Sequence, residues 1–239
     1  MTLAVAVVLV TLVLVNVWVH LGPRHAHVVT GPVAALVLVA VGRAAGLSWD
    51  QLGLSVHAVL RGAVFGAVAA GAVAVVYLAA LAIPFTRRAF LDTRYQISMR
   101  AAVLTSLVTI PLATVVFEEV AFRSVLWGLL EKDRGAGVAT AVTSVLFGLW
   151  HILPALDAAR ASTAIQGEGH PGEPRRVVLT VLGTVAFTAL AGVVFAELRR
   201  RSGSVVAPVG LHWATNGLAV VAAARVWALS PPPSTAEER

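Results

Sequence analysis

Three charges stand inside an apolar run: Glu118, Glu119 and Arg123 in TVVFEEVAFRSVLWGLLEK, residues 114–132. Two imidazoles share that setting, His151 in LFGLWHI and His212 in PVGLHWATNG, and Asn216 lies one helical turn past His212. Ionisable groups are expensive at membrane depth and mark function or deliberate pairing. Chemistry at such a site requires a base, a positioned water and donors for a developing oxyanion. A carboxylate, two imidazoles and a carboxamide provide those parts.

Helical spacing sorts the residues. Glu119 and Arg123 are four apart, share a face and can pair. Glu118 is turned roughly 100° from Glu119, so it reads as a carboxylate left for something other than the local arginine. His212 and Asn216 share a face, as do Phe147 and His151. Counted from the span ends at about 1.5 Å per residue, Glu118, His151 and His212 lie roughly 15, 21 and 12 Å deep, which suits convergence from three helices. Taken singly, a transmembrane His or Asn can be interhelical glue, and Glu119 with Arg123 a structural ion pair. The joint pattern is harder to explain that way.

The elements that must position these groups are apolar helices. The chain of 239 residues is 58% hydrophobic and 13% charged, too apolar to cover a water-facing surface. Its long apolar runs do not alternate with polar residues, so they read as helices and not as strands of a barrel. Seven spans are expected, at about 3–19, 28–47, 62–83, 98–131 with a kink at Pro111, 138–153, 177–198 and 205–229. The first has no basic segment before it and no small-residue cleavage site after it, so it reads as a retained helix. The loop at 157–176 is the longest polar one, and residues 230–239 read as a disordered tail. The expected architecture is one all-α, polytopic membrane domain of a multi-pass cell-membrane protein. Residues 1–97 are accessory spans, 98–229 is a core, and the motif helices surround an internal cavity.

The net charge of +6 comes from 17 Arg and one Lys against 12 acids. Most of the arginines fall in short loops between spans, where they anchor headgroups. The lipid bilayer is therefore the expected partner and nucleic acid is not. His20, His25 and His27 cluster at a span end and read as interfacial, and His170 reads as solvated. With no cysteine, thiolate chemistry and disulfides are excluded.

In order along the chain, EEVAFR, FGLWH and HWATN resemble the three motifs of the CAAX protease and bacteriocin-processing family (CPBP, Abi-type). These are intramembrane endopeptidases related to the CAAX prenyl endoprotease. GLSWDQLGLS, before the third span, is also similar to the family. The resemblance covers about residues 98–229 and departs at none of the six motif positions. It implies that Glu118 activates water while His151 helps to hold that water or a metal. His212 and Asn216 would be ligands or oxyanion donors, with Glu119 and Arg123 bracing the site. Glu118, His151 and His212 would suit zinc with an open position. The same groups can work without metal through a glutamate-activated water, with the metalloprotease reading preferred.

The resemblance implies a membrane-tethered peptide or protein substrate, whether prenylated, leader or bacteriocin-type. Two other classes remain open. One is a non-catalytic bacteriocin-immunity or peptide-binding membrane protein. The other is a small transporter using the charges as a proton relay, which an internal repeat would favour; none is visible.

Overall fold

The computed structural model describes residues 2–23, 26–161 and 174–229. His25, His170, most of the long polar loop and the tail at 230–239 lie outside them. Among the described residues there is no β-strand, and seven helices are long and apolar enough to cross a membrane. The protein is a multi-pass, all-α membrane protein.

The first three spans are α1 (Thr2–Leu21), α2 (His27–Ala44) and α3 (Val56–Ala82). The fourth, α4 (Met99–Arg134), is the longest. Ser98 caps its start by accepting from the Ala101 amide, and Gly135 ends it at φ +81. The fifth span is split into α5 (Ala136–Trp150) and α6 (Ile152–Ala161). The last two are α7 (Pro174–Ser202) and α8 (Val206–Leu229).

The kink expected at Pro111 takes the form of π-type turns at Thr105–Thr109 and Pro111–Val115. Proline lacks the amide that would close a regular turn there. Further π turns at Val120–Leu126 and Ala214–Leu218 directly follow Glu119 and Trp213. The fifth span does not stop at Pro154 as expected. It breaks at His151 and resumes as α6, with Pro154 in its first turn, a position that proline tolerates.

Central helix α4 is surrounded. Every residue from 117 to 129 is buried, which is how a helix apolar on all sides is accommodated. Around it, α2 runs along α4, α7 along α5, and α3 along the first half of α8, while α1 touches α2 and α4. Lipid-facing sides carry exposed Val, Leu and Phe, such as Val68, Leu78, Phe187 and Leu190.

The connection between α2 and α3 folds inward and closes one end of the bundle. Ser48 and Gln51 cap each other reciprocally, amide to side chain, at 2.8 and 3.1 Å. Leu47 and Leu52 are fully buried. Arg199 of α7 donates to the carbonyls of Asp50 and Gln51 at 3.1 and 3.0 Å. Ser124 of α4 donates to the carbonyl of Leu52 at 2.6 Å. GLSWDQLGLS is thus a backbone-anchored plug beside α4.

Candidate active site

Helix α4 delivers Glu118, Glu119 and Arg123 into the interior, where all three are buried. Arg123 donates through Nη1 to Glu119 Oε1 at 3.2 Å, as the spacing of four anticipated. Its guanidinium is enclosed by aromatic faces, 3.9 Å from the ring centroid of Phe147, 4.8 Å from Phe195 and 5.6 Å from Phe122. Ring faces attract a cation most where water is excluded.

From α8, His212 donates through Nδ1 to the same Glu119 oxygen at 2.7 Å. That bond settles which ring nitrogen is occupied. It turns Nε2 toward Glu118, whose Oε2 is 3.9 Å away. Phe195 stacks on the imidazole at 5.2 Å with 22° between planes. One water about 2.8 Å from each atom would span the gap between Oε2 and Nε2.

Glu118, read from the sequence as left for something other than Arg123, faces the same imidazole that Glu119 holds. The two nitrogens of one imidazole point in different directions, so a single ring meets successive carboxylates. Glu118 is also not wholly free. Its Oε1 accepts from the Trp150 indole at 3.0 Å. Only Oε2 is buried without a hydrogen-bond partner among the described residues.

His151 sits at the break between α5 and α6. Its Nδ1 lies 2.8 Å from the Phe147 carbonyl, which leaves Nε2 available. His151 and half-buried Asn216 line two cavities at once. One, of about 500 Å³, is apolar and opens beside α3, α7 and α8, with Phe187, Leu190 and His212 in its wall. The other, of about 450 Å³, holds Glu118 and Trp150 at its inner end and His20, Asp92 and Arg94 at its mouth. At that mouth His20 pairs with Asp157 at 3.6 Å, so it does more than sit at an interface. Asp92 holds Arg94 at 2.6 Å and raises the pKa of its guanidinium by that hydrogen bond. Burial raises the pKa of the neighbouring Tyr95 phenol.

Of the six motif residues, Glu118, His151, His212 and Asn216 therefore line two meeting cavities instead of one, while Glu119 and Arg123 lie fully buried outside both linings. Zinc fits this arrangement poorly. A structural or catalytic zinc takes three or four protein donors. Among the described residues no three His, Asp or Glu side chains come together as a metal-holding group, so Glu118, His151 and His212 do not form one. Sequence reasoning also missed Trp150 and Phe195. Trp150 lay inside the FGLWH motif without a role. Phe195 is on α7, a span that carries no motif residue, and no local signal marks it.

A family model described as Rce1-like, type II CAAX prenyl endopeptidase, matches residues 100–218. No curated protein and no solved structure matches the chain. All six motif side chains fall inside the matched stretch. Over residues 100–218 this membrane chain thus belongs to the Rce1-like family of type II CAAX prenyl endopeptidases.

Proposed function

We propose that the protein is an intramembrane endopeptidase that hydrolyses a peptide bond of a membrane-tethered substrate with a water activated by Glu118. The observation that carries this reading is the buried Glu118 Oε2, without a hydrogen-bond partner among the described residues and 3.9 Å from His212 Nε2. A carboxylate so placed is one water away from a proton it can take, as a general base must be.

Water held between Oε2 and Nε2 attacks the scissile carbonyl while Glu118 takes its proton. His151, through Nε2, holds the same water from the cavity side. The tetrahedral oxyanion is met by the Asn216 amide, while His212, held in register by Glu119, keeps the attacking water aligned with Glu118. Glu118 then returns the proton to the leaving amine as the C–N bond breaks. Arg123 holds Glu119 in place without touching substrate. No step passes through a metal. The substrate's apolar anchor occupies the cavity beside α3, α7 and α8, and its peptide reaches the polar one. Among tethered substrates, a prenylated C-terminus suits the family's description. A leader or bacteriocin-type peptide is the other candidate.

The test uses the purified full chain in liposomes and fluorogenic peptides with and without a farnesyl-cysteine. Wild type is expected to cleave one of them, and Glu118→Gln to fold normally yet lose orders of magnitude in kcat, because glutamine cannot take a proton. A strong chelator should leave the wild-type rate unchanged. Loss on chelation with recovery on added Zn²⁺ would reinstate the metal reading. Equal rates for wild type and Glu118→Gln would remove the protease reading and leave a peptide-binding protein.

A further inference from the structure

We propose that Trp150 is the positioning residue of the base, and that Asn16 of the first span acts on the site through it. The proposal rests on the reading of Glu118 given above and adds two residues outside the six motif positions.

The chain of cause begins at Pro154. In an unbroken helix the Trp150 carbonyl would accept from the amide of residue 154, and proline has none. An unsatisfied carbonyl in a membrane interior is costly, because no water reaches it. Asn16 supplies the missing donor from another helix: its Nδ2 lies 3.0 Å from the Trp150 carbonyl, across 134 residues of sequence. Helix α1 is otherwise strongly apolar, so an amide there stands out. This bond fixes the backbone at the residue whose indole reaches the base.

The indole is held as firmly as its backbone. It packs against Phe117 and Phe122 with ring centroids 5.9 and 6.0 Å apart. From there its N–H reaches Glu118 Oε1 at 3.0 Å. The terminal torsion of a free glutamate is broad. Tying Oε1 stops that rotation and leaves Oε2 aimed at His212. Small errors in aim are expensive in catalysis, so the tie acts on the chemical step and not on binding. It also makes α1 part of the apparatus and not an accessory span.

Trp150→Phe keeps the aromatic packing and removes only the N–H. Its kcat on the fluorogenic peptide should fall about 10- to 100-fold, the size expected for a hydrogen bond to a charged group, with KM unchanged. Asn16→Leu should lower kcat several-fold. The double variant should be no slower than Trp150→Phe alone, since Asn16 works through Trp150. A purely structural role would instead give additive losses in kcat. Wild-type kcat in Trp150→Phe would overturn the proposal.

A readout that needs no activity separates this proposal from the protease reading. In [¹⁵N]indole-labelled protein, the resonance missing from Trp150→Phe should move in Glu118→Ala and in Asn16→Leu. If it stays in place in Glu118→Ala, the positioning bond does not exist. If it moves while wild type cleaves no peptide, the protease reading fails and the hydrogen-bonded line stands.

Discussion

Arg123 is the largest fully buried side chain among the described residues, and its setting shows how a charge survives at that depth. One nitrogen is given to Glu119, while Nε and Nη2 have no hydrogen-bond partner among the described residues. Three ring faces take the place of water around it. Removing the guanidinium would leave Glu119 charged and uncompensated, and would also loosen the carboxylate that holds His212. Breaking one side of a buried pair typically costs about 3–5 kcal/mol. Arg123→Ala should therefore lower both the yield of folded protein and its thermal midpoint in detergent, and abolish peptidase activity. Arg123→Lys should keep part of the stability, since the charge remains but the planar contact with Phe147 is lost. An unchanged midpoint in Arg123→Ala would show that the pair braces nothing.

Helices are brought close at glycines, because lipid offers no hydrophobic drive between apolar spans and close van der Waals packing must serve. The crossing of α3 and α8 is a tight case near the site. A Cβ placed on Gly210 would lie 2.8 Å from the Cα of Gly66 and 3.0 Å from its carbonyl carbon. Backbone cannot yield as a flexible side chain can, so Gly210→Val should part the two helices. Two residues later stands His212, so the damage should reach the site. Thermal unfolding in detergent should show a markedly lower midpoint and the peptide assay a lost rate. Gly183→Ala on α7 is the matched control, with nothing within 4 Å of an added Cβ. It should be neutral or slightly stabilising, as alanine favours helix. Equal midpoints for the two variants would mean that the crossing contributes no packing.

Across the whole molecule, the proposed hydrolysis would divide between the two cavities. The apolar one borders lipid-facing α7, and the polar one runs from Glu118 to the ionic groups at its mouth. Water should therefore arrive from the polar side. The chain has no cysteine, so single probes are unambiguous. In liposomes, Ala158→Cys in the polar cavity should react with a hydrophilic maleimide. Leu190→Cys, exposed beside the apolar cavity, should react only with a lipophilic one. The reverse pattern of labelling would place water entry on the lipid-facing side.

Composition and spacing alone made the membrane class, the seven spans and six polar residues legible, because a charge or amide in an apolar run is conspicuous wherever it sits. The Glu119–Arg123 contact was legible too, since both ends lie on one turn. Tertiary structure alone decided the rest. Glu119 meets His212 across 93 residues, Glu118 meets Trp150 across 32, and Asn16 meets Trp150 across 134. Those meetings depend on how each helix is rotated about its axis. In a soluble protein the apolar stripe reports that rotation. Here lipid is as apolar as the core, so the buried and exposed faces of a span read alike. The π turns after Glu119 and Trp213 add a local change of phase that a count of 3.6 residues per turn does not carry. The partners of the site residues, the second cavity and the part played by α1 therefore emerged only when the helices were packed.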